Sequence, residues 1–264
     1  MKHAINAIAY TLAFLAISLI ASTIVQGLTM LIVGSEVTTT PNMLIATSVL
    51  SSLTVLGVFI FLHWADVSRS YMQSRPWGVF AWCTLAACGI LIPSLCLQEH
   101  MPELPNIVTE ELEMLMKDRW GYLVIGILAP LAEELVFRGA VLRSLLLWKP
   151  GNHWLCIAVS ALLFAAAHLN PAQMPHAFLI GLLLGWLYYR TRSIAPGVVY
   201  HWVNNSLAYI IYNLYPDPDI RLIDILGSQR SEAAAVLFSL FILLPSLYQL
   251  HLRLRNPEQT TSHL

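Results

Sequence analysis

Long apolar runs separated by short polar intervals dominate this chain. A membrane-crossing helix takes about 20 mostly apolar residues. Eight stretches approach that length: 5–33, 43–63, 78–97, 120–147, 153–169, 175–190, 195–214 and 232–251. The first, Ala4 to Val33 behind Lys2, is about twice as long as the apolar core of a secretory signal, which predicts an uncleaved membrane helix. No repeat or low-complexity tract interrupts the series. The pattern predicts an all-α, polytopic membrane bundle of about eight transmembrane helices, with 1–264 forming a single membrane domain.

Composition strengthens this reading. Of 264 residues, 57% are hydrophobic and 11% charged, and the mean hydropathy is +0.67. Soluble domains carry about 25% charged residues, so too little charge is present to cover a water-facing surface, and membrane lipid is the expected partner. The net charge of -1 gives no basic bias, so no nucleic-acid partner is expected. Cys83, Cys88, Cys96 and Cys156 sit in apolar stretches without a CxxC spacing and read as small hydrophobes, not as disulfide or zinc ligands.

Charge also suggests an orientation. With the N-terminus inside, the inner segments hold ten basic residues (Lys2, Arg69, Arg75, Arg138, Arg143, Lys149, Arg190, Arg192, Arg253 and Arg255), and the outer segments hold four (Lys117, Arg119, Arg221 and Arg230). Lys and Arg favour the cytoplasmic side, so both termini are expected inside. The short, loop-poor chain points to a bacterial cytoplasmic membrane. The outer loop 98–119 is acidic, and its apolar Ile107, Val108, Leu112, Leu115 and Met116 fit one side of a short helix. An interfacial helix is the plainer reading and a substrate-gating lid the sharper one.

Polar residues inside the apolar runs carry the candidate chemistry. The fourth run contains Glu133-Glu134 followed by Arg138. A central acidic residue costs about 2.5–3.5 kcal/mol to insert, so such groups face a cavity or a partner. Glu134 and Arg138, four apart, share a helical face and can form an ion pair. Glu133 points about 100° away and is left to serve as a general base in a polar cavity. The fifth run ends in Phe164-Ala-Ala-Ala-His168, with Phe164 one turn before His168, and the seventh holds His201-Trp-Val-Asn204-Asn205. His201 and Asn205 face together; Asn204 lies off that face. An asparagine amide can donate to a developing oxyanion. Taken singly, each His or Asn is equally suited to bonding between helices. His63, Asn170 and His176 read as boundary polar residues near the ends of runs.

As an ordered set, Glu133-Glu134-x-x-x-Arg138, Phe164-x-x-x-His168 and His201-x-x-x-Asn205 resemble the motifs of the CAAX prenyl protease and bacteriocin-processing (CPBP, Abi) family of intramembrane endopeptidases. The resemblance covers about 120–215, the expected catalytic core, and Ser193-Ile-Ala-Pro196-Gly leads into its last motif in the family's manner. It implies peptide-bond hydrolysis on a membrane-associated peptide or protein substrate. Glu133 resembles the base that activates water, His168 a residue that positions it, His201 and Asn205 the oxyanion pair, and Glu134 with Arg138 the supporting ion pair. Phe164 falls to the substrate pocket. Glu133, His168 and His201 could hold zinc with a water in the fourth position; yet HExxH is absent, and a metal-free site fits equally. The reading adopted is a site without tightly bound metal.

Two rivals compete. An inactive membrane scaffold or immunity protein of the same fold would lack a motif residue, and none is missing. A transporter or proton relay also uses intramembrane Glu and His, but calls for internal repeats that are not seen.

Overall fold

The computed structural model describes residues 2–34, 38–67, 69–217 and 220–254. They are helical, with no strand among the described residues. The helices are α1 (Lys2–Val33), α2 (Pro41–Phe61), α3 (Arg69–Gln73), α4 (Trp77–Glu99) and α5 (Thr109–Lys117). An unbroken helical stretch follows, made of a π-segment π1 (Leu123–Leu128), α6 (Ala129–Glu134), a second π-segment π2 (Leu135–Leu142) and α7 (Arg143–Trp148). Then come α8 (His153–Ala167), α9 (Met174–Thr191), α10 (Ala195–Leu214), α11 (Leu222–Leu226) and α12 (Gln229–Arg253).

Four of these, α1, α2, α4 and α12, are long and apolar enough to cross a membrane. The other four expected spans fall on helices that do not meet that standard. α8 is only 15 residues long. α9 has polar ends, with Pro175 and His176 at one and Tyr188, Tyr189 and Arg190 at the other. The 120–147 stretch carries the charged triplet, and α10 carries His201, Asn204 and Asn205. The passing helices present bare apolar side chains outward, among them Ile32 (83% exposed), Phe61 (80%) and Phe238 (70%). Their hydroxyls fold back onto the helix, as Thr11 Oγ1 does to the Ala7 carbonyl (3.1 Å) and Thr54 Oγ1 to that of Leu50 (2.7 Å). A polar group so bonded needs no water, which suits it to lipid.

The chain divides into two compact units. The first comprises residues 1–67 and 105–185, the second 68–104 and 186–264. In the first, α1 packs on α2, π2 and α7, and α2 packs on α5, α6 and both π-segments. All eight residues of π2 are buried. The acidic loop forms the expected short helix, α5, with Met116 buried and a Lys117–Glu113 pair at 2.7 Å on its surface. In the second unit α4 packs on both α10 and α12. Gly89 permits the closest approach: a Cβ there would lie 2.7 Å from the Leu243 backbone nitrogen and 2.9 Å from its Cα.

Gly89→Ala should therefore push α4 from α12 and lower stability by about 1–3 kcal/mol. Gly57→Ala, on α2 where an added Cβ meets nothing within 4 Å, should be neutral or raise stability by up to about 1 kcal/mol. Thermal unfolding in detergent micelles compares the two; equal midpoints would contradict the packing account.

Candidate active site

The charged triplet sits where the helix changes pitch. α6 ends at Glu134 and the wider π2 begins at Leu135. Such π-turns inside α-helices recur at functional sites. Arg138 Nη1 lies 2.8 Å from Glu134 Oε1, and both side chains are essentially unexposed (1% and 0%). The pairing expected from four-residue spacing is thus present and fully buried. Arg138 Nη2 also donates to the Gly181 carbonyl on α9 at 3.3 Å. The guanidinium carbon stands 4.4 Å from the centroid of the Phe164 ring. A buried arginine without such partners would be strongly destabilising; here a carboxylate, a carbonyl and an aromatic face receive it.

Phe164 links this pair to the histidine. Its ring meets Phe137 edge to face at 5.3 Å and His168 at 4.9 Å with an 86° angle. Its backbone carbonyl lies 2.9 Å from His168 Nδ1. In the tautomer that donates to that carbonyl, Nε2 keeps its lone pair for a water. α9 comes close enough to hold this group because residue 181 is glycine. A Cβ there would be 2.9 Å from Ala161 Cβ and 3.3 Å from Phe164 Cδ1.

Glu133 lies on a different face from Glu134 and is half-buried. It lines a cavity of about 480 Å³ together with Phe137, Phe164, Ala167, His168 and Leu169. Phe14, Leu15, Ala16, Ser18 and Leu19 of α1 form the other wall. The first unit thus brings Glu133, Phe164 and His168 to one largely apolar chamber. No motif marks the α1 wall in the sequence; its residues look like any other lipid-facing run. Within this unit Glu133 and His168 are two ligands where zinc takes at least three from protein, so this chamber alone does not make a zinc centre.

The turn after His168 is held in place from outside. Leu169 adopts a left-handed backbone (φ 52°), a conformation costly for a side chain with a Cβ. Asn170, expected at a boundary, is instead fully buried. Its Nδ2 donates to Asn106 Oδ1 (2.9 Å), and its Oδ1 accepts from the Ile107 backbone N–H (3.2 Å). The Ala172 N–H adds a bond to the Pro105 carbonyl (3.2 Å). These contacts clip residues 105–107 of the acidic loop to the turn that follows His168.

His201, Asn204 and Asn205 belong to the second unit, on α10. His201 and Asn204 are buried and Asn205 half-buried. Asn204 Nδ2 donates to Asn205 Oδ1 at 3.4 Å, engaging the acceptor end of the Asn205 amide. Asn204 is therefore a local orienter that the face argument left aside.

Residues 116–207 match the family model described as type II CAAX prenyl endopeptidase, Rce1-like. That span takes in every candidate residue from Glu133 to Asn205. Over that span the chain is similar to the CAAX protease family. The membrane-embedded CAAX protease MroQ of Staphylococcus aureus (strain USA300) is 24% identical over 147 residues, which cover 54% of this chain and 60% of MroQ. This chain thus matches less than two thirds of that relative's length. No solved structure matches significantly. The apolar helices and the family match together mark an integral membrane protein, and the matched segment runs from α5 into α10.

Arg138→Ala should strand the buried Glu134 carboxylate and cost about 3–5 kcal/mol, whereas the Glu134→Leu/Arg138→Met double variant should recover most of that loss. Unfolding midpoints of the two variants test this. A single variant as stable as the parent would refute a structural role for the pair.

Proposed function

We propose that this chain is an intramembrane endopeptidase that hydrolyses a peptide bond of a membrane-associated protein or peptide. The observation that carries the proposal is the convergence of Glu133 and His168 on one apolar chamber, beside the buried Glu134–Arg138 ion pair. The match of residues 116–207 to the type II CAAX prenyl endopeptidase model supports the reaction type.

In the proposed mechanism Glu133 accepts a proton from a water held by His168, and the hydroxide attacks the peptide carbonyl carbon. His201 and Asn205 donate hydrogen bonds to the resulting oxyanion. When the C–N bond breaks, Glu133 returns the proton to the departing amine, so the carboxylate is regenerated. The order and four-residue spacing of the motifs support these roles for His201 and Asn205. Phe164 borders the chamber and carries both Arg138 and His168, so its part is to shape the substrate pocket and hold the histidine. No step requires a metal. In its finer form the proposal includes about eight membrane crossings with both termini in the cytoplasm of a bacterial cell, supported by the ten-to-four distribution of basic residues.

Glu133→Ala should abolish cleavage of membrane peptides by the purified protein while leaving its unfolding midpoint near that of the parent. Asn205→Ala should slow turnover by about 10²–10³-fold, as loss of one oxyanion donor does elsewhere. Mass spectrometry of a membrane-peptide library incubated with each protein provides the readout. Identical product sets from the parent and Glu133→Ala would remove the basis of the proposal.

A further inference from the structure

A second cluster of reactive side chains lies apart from the motif residues, where α4 ends and α12 begins. Cys96 and His100, four residues apart, share the last face of α4, and Glu232 occupies the first turn of α12. Cys96 Sγ is 3.4 Å from Glu232 Oε1 and 3.8 Å from His100 Nδ1. One ligating atom from each of the three lies within 4.8 Å of the others. His100 Nδ1 is also 2.8 Å from the Cys96 carbonyl oxygen.

We propose that Cys96, His100 and Glu232 form a zinc site that fastens α4 to α12. Zinc takes thiolate, imidazole and carboxylate together, in tetrahedral geometry, with bonds of about 2.3 Å to sulfur and about 2.0–2.2 Å to nitrogen and oxygen. Those bond lengths put ligand atoms about 3.3–3.7 Å apart, and the sulfur–oxygen distance of 3.4 Å already stands in that range. Donation of the Nδ1 proton to the Cys96 carbonyl leaves Nε2 as the ligating nitrogen, an outer-shell arrangement usual for zinc-bound histidine. The three side chains line a cavity of about 480 Å³ with Gln229 at its rim, so an ion can enter and a water or the Gln229 amide can complete the fourth position.

The surrounding packing explains why the three groups meet. The Gly89 contact with the Leu243 backbone sets the spacing of α4 and α12. Glu99 Oε1 accepts from the Leu222 N–H at 2.6 Å, tying the end of α4 to the start of α11. Ligands held on packed elements need little reorganisation to bind. Nothing in the proposed peptidase mechanism uses these residues, so the zinc site and the proteolytic reading stand or fall separately.

The test uses the full chain, purified with a reductant, stripped with chelator and titrated with cobalt(II) and zinc(II). The parent should bind about one metal per chain and show a sulfur-to-cobalt charge-transfer band. Zinc should also raise its unfolding midpoint. Cys96→Ser should lose the band, and His100→Ala and Glu232→Gln should weaken zinc binding by at least about tenfold, the least that removal of an outer-shell partner costs. His100 is exposed, so its variant keeps the test decisive if Cys96→Ser folds poorly. Glu133→Ala should bind as the parent does. Uptake that is absent in the parent, or that survives Cys96→Ser and is lost in Glu133→Ala, would overturn the proposal.

Discussion

A fully buried guanidinium organises the first unit. Arg138 has almost no exposure, so every favourable interaction it makes must come from protein. Glu134 supplies the opposite charge, the Gly181 carbonyl an acceptor, and Phe164 an aromatic face. Meeting these needs fixes more than the arginine. Phe164 must stay within reach of it, and the same residue's backbone carbonyl, one helical turn before His168, receives Nδ1. Residue 181 must be glycine for α9 to come within reach. Because Glu134 is committed to the ion pair, its neighbour on the next face of the helix is the carboxylate directed to the chamber. The dependence runs from one charge to the position of both the acid and the imidazole.

The pitch change at Leu135 belongs to the same arrangement. A π-turn places more residues in each turn than an α-helix. In π2 all eight are buried, so the stretch that holds Phe137 and Arg138 has protein on every side. Ser160 Oγ on α8 donates to the Phe137 carbonyl at 2.9 Å, satisfying a backbone acceptor in a stretch where the regular ladder is interrupted.

Much of this could be read from residue order. The Glu134–Arg138 pair follows from four-residue spacing, and so does the Phe164–His168 contact, because both are local to one helix. The α5 helix was legible from its one-sided apolar residues. What could not be read depends on contacts far apart in sequence. Asn170 looks like a turn residue until Asn106 is placed beside it. Ser18 and Phe14 look like lipid-facing positions until α1 is seen to wall the chamber. Cys96 looks like a small hydrophobe because Glu232 is 136 positions away. Helix periodicity reports which residues share a face, and it is silent on what that face meets.

The same limit explains the difference between eight expected spans and four helices that satisfy length and apolarity. A helix against lipid has no partner for a charge, so its sequence must be apolar throughout and long enough to reach water at both ends. A segment enclosed by protein is released from both demands: its polar groups find partners there, and its ends need not reach the aqueous phase. α1, α2, α4 and α12 obey the first rule and contain none of the motif residues. The 123–148 stretch, α8 and α10 carry all of them and fall short of the standard. The motif residues are thus confined to segments that fall short through charge, polarity or length, as expected where polar groups find their partners in protein and not in lipid.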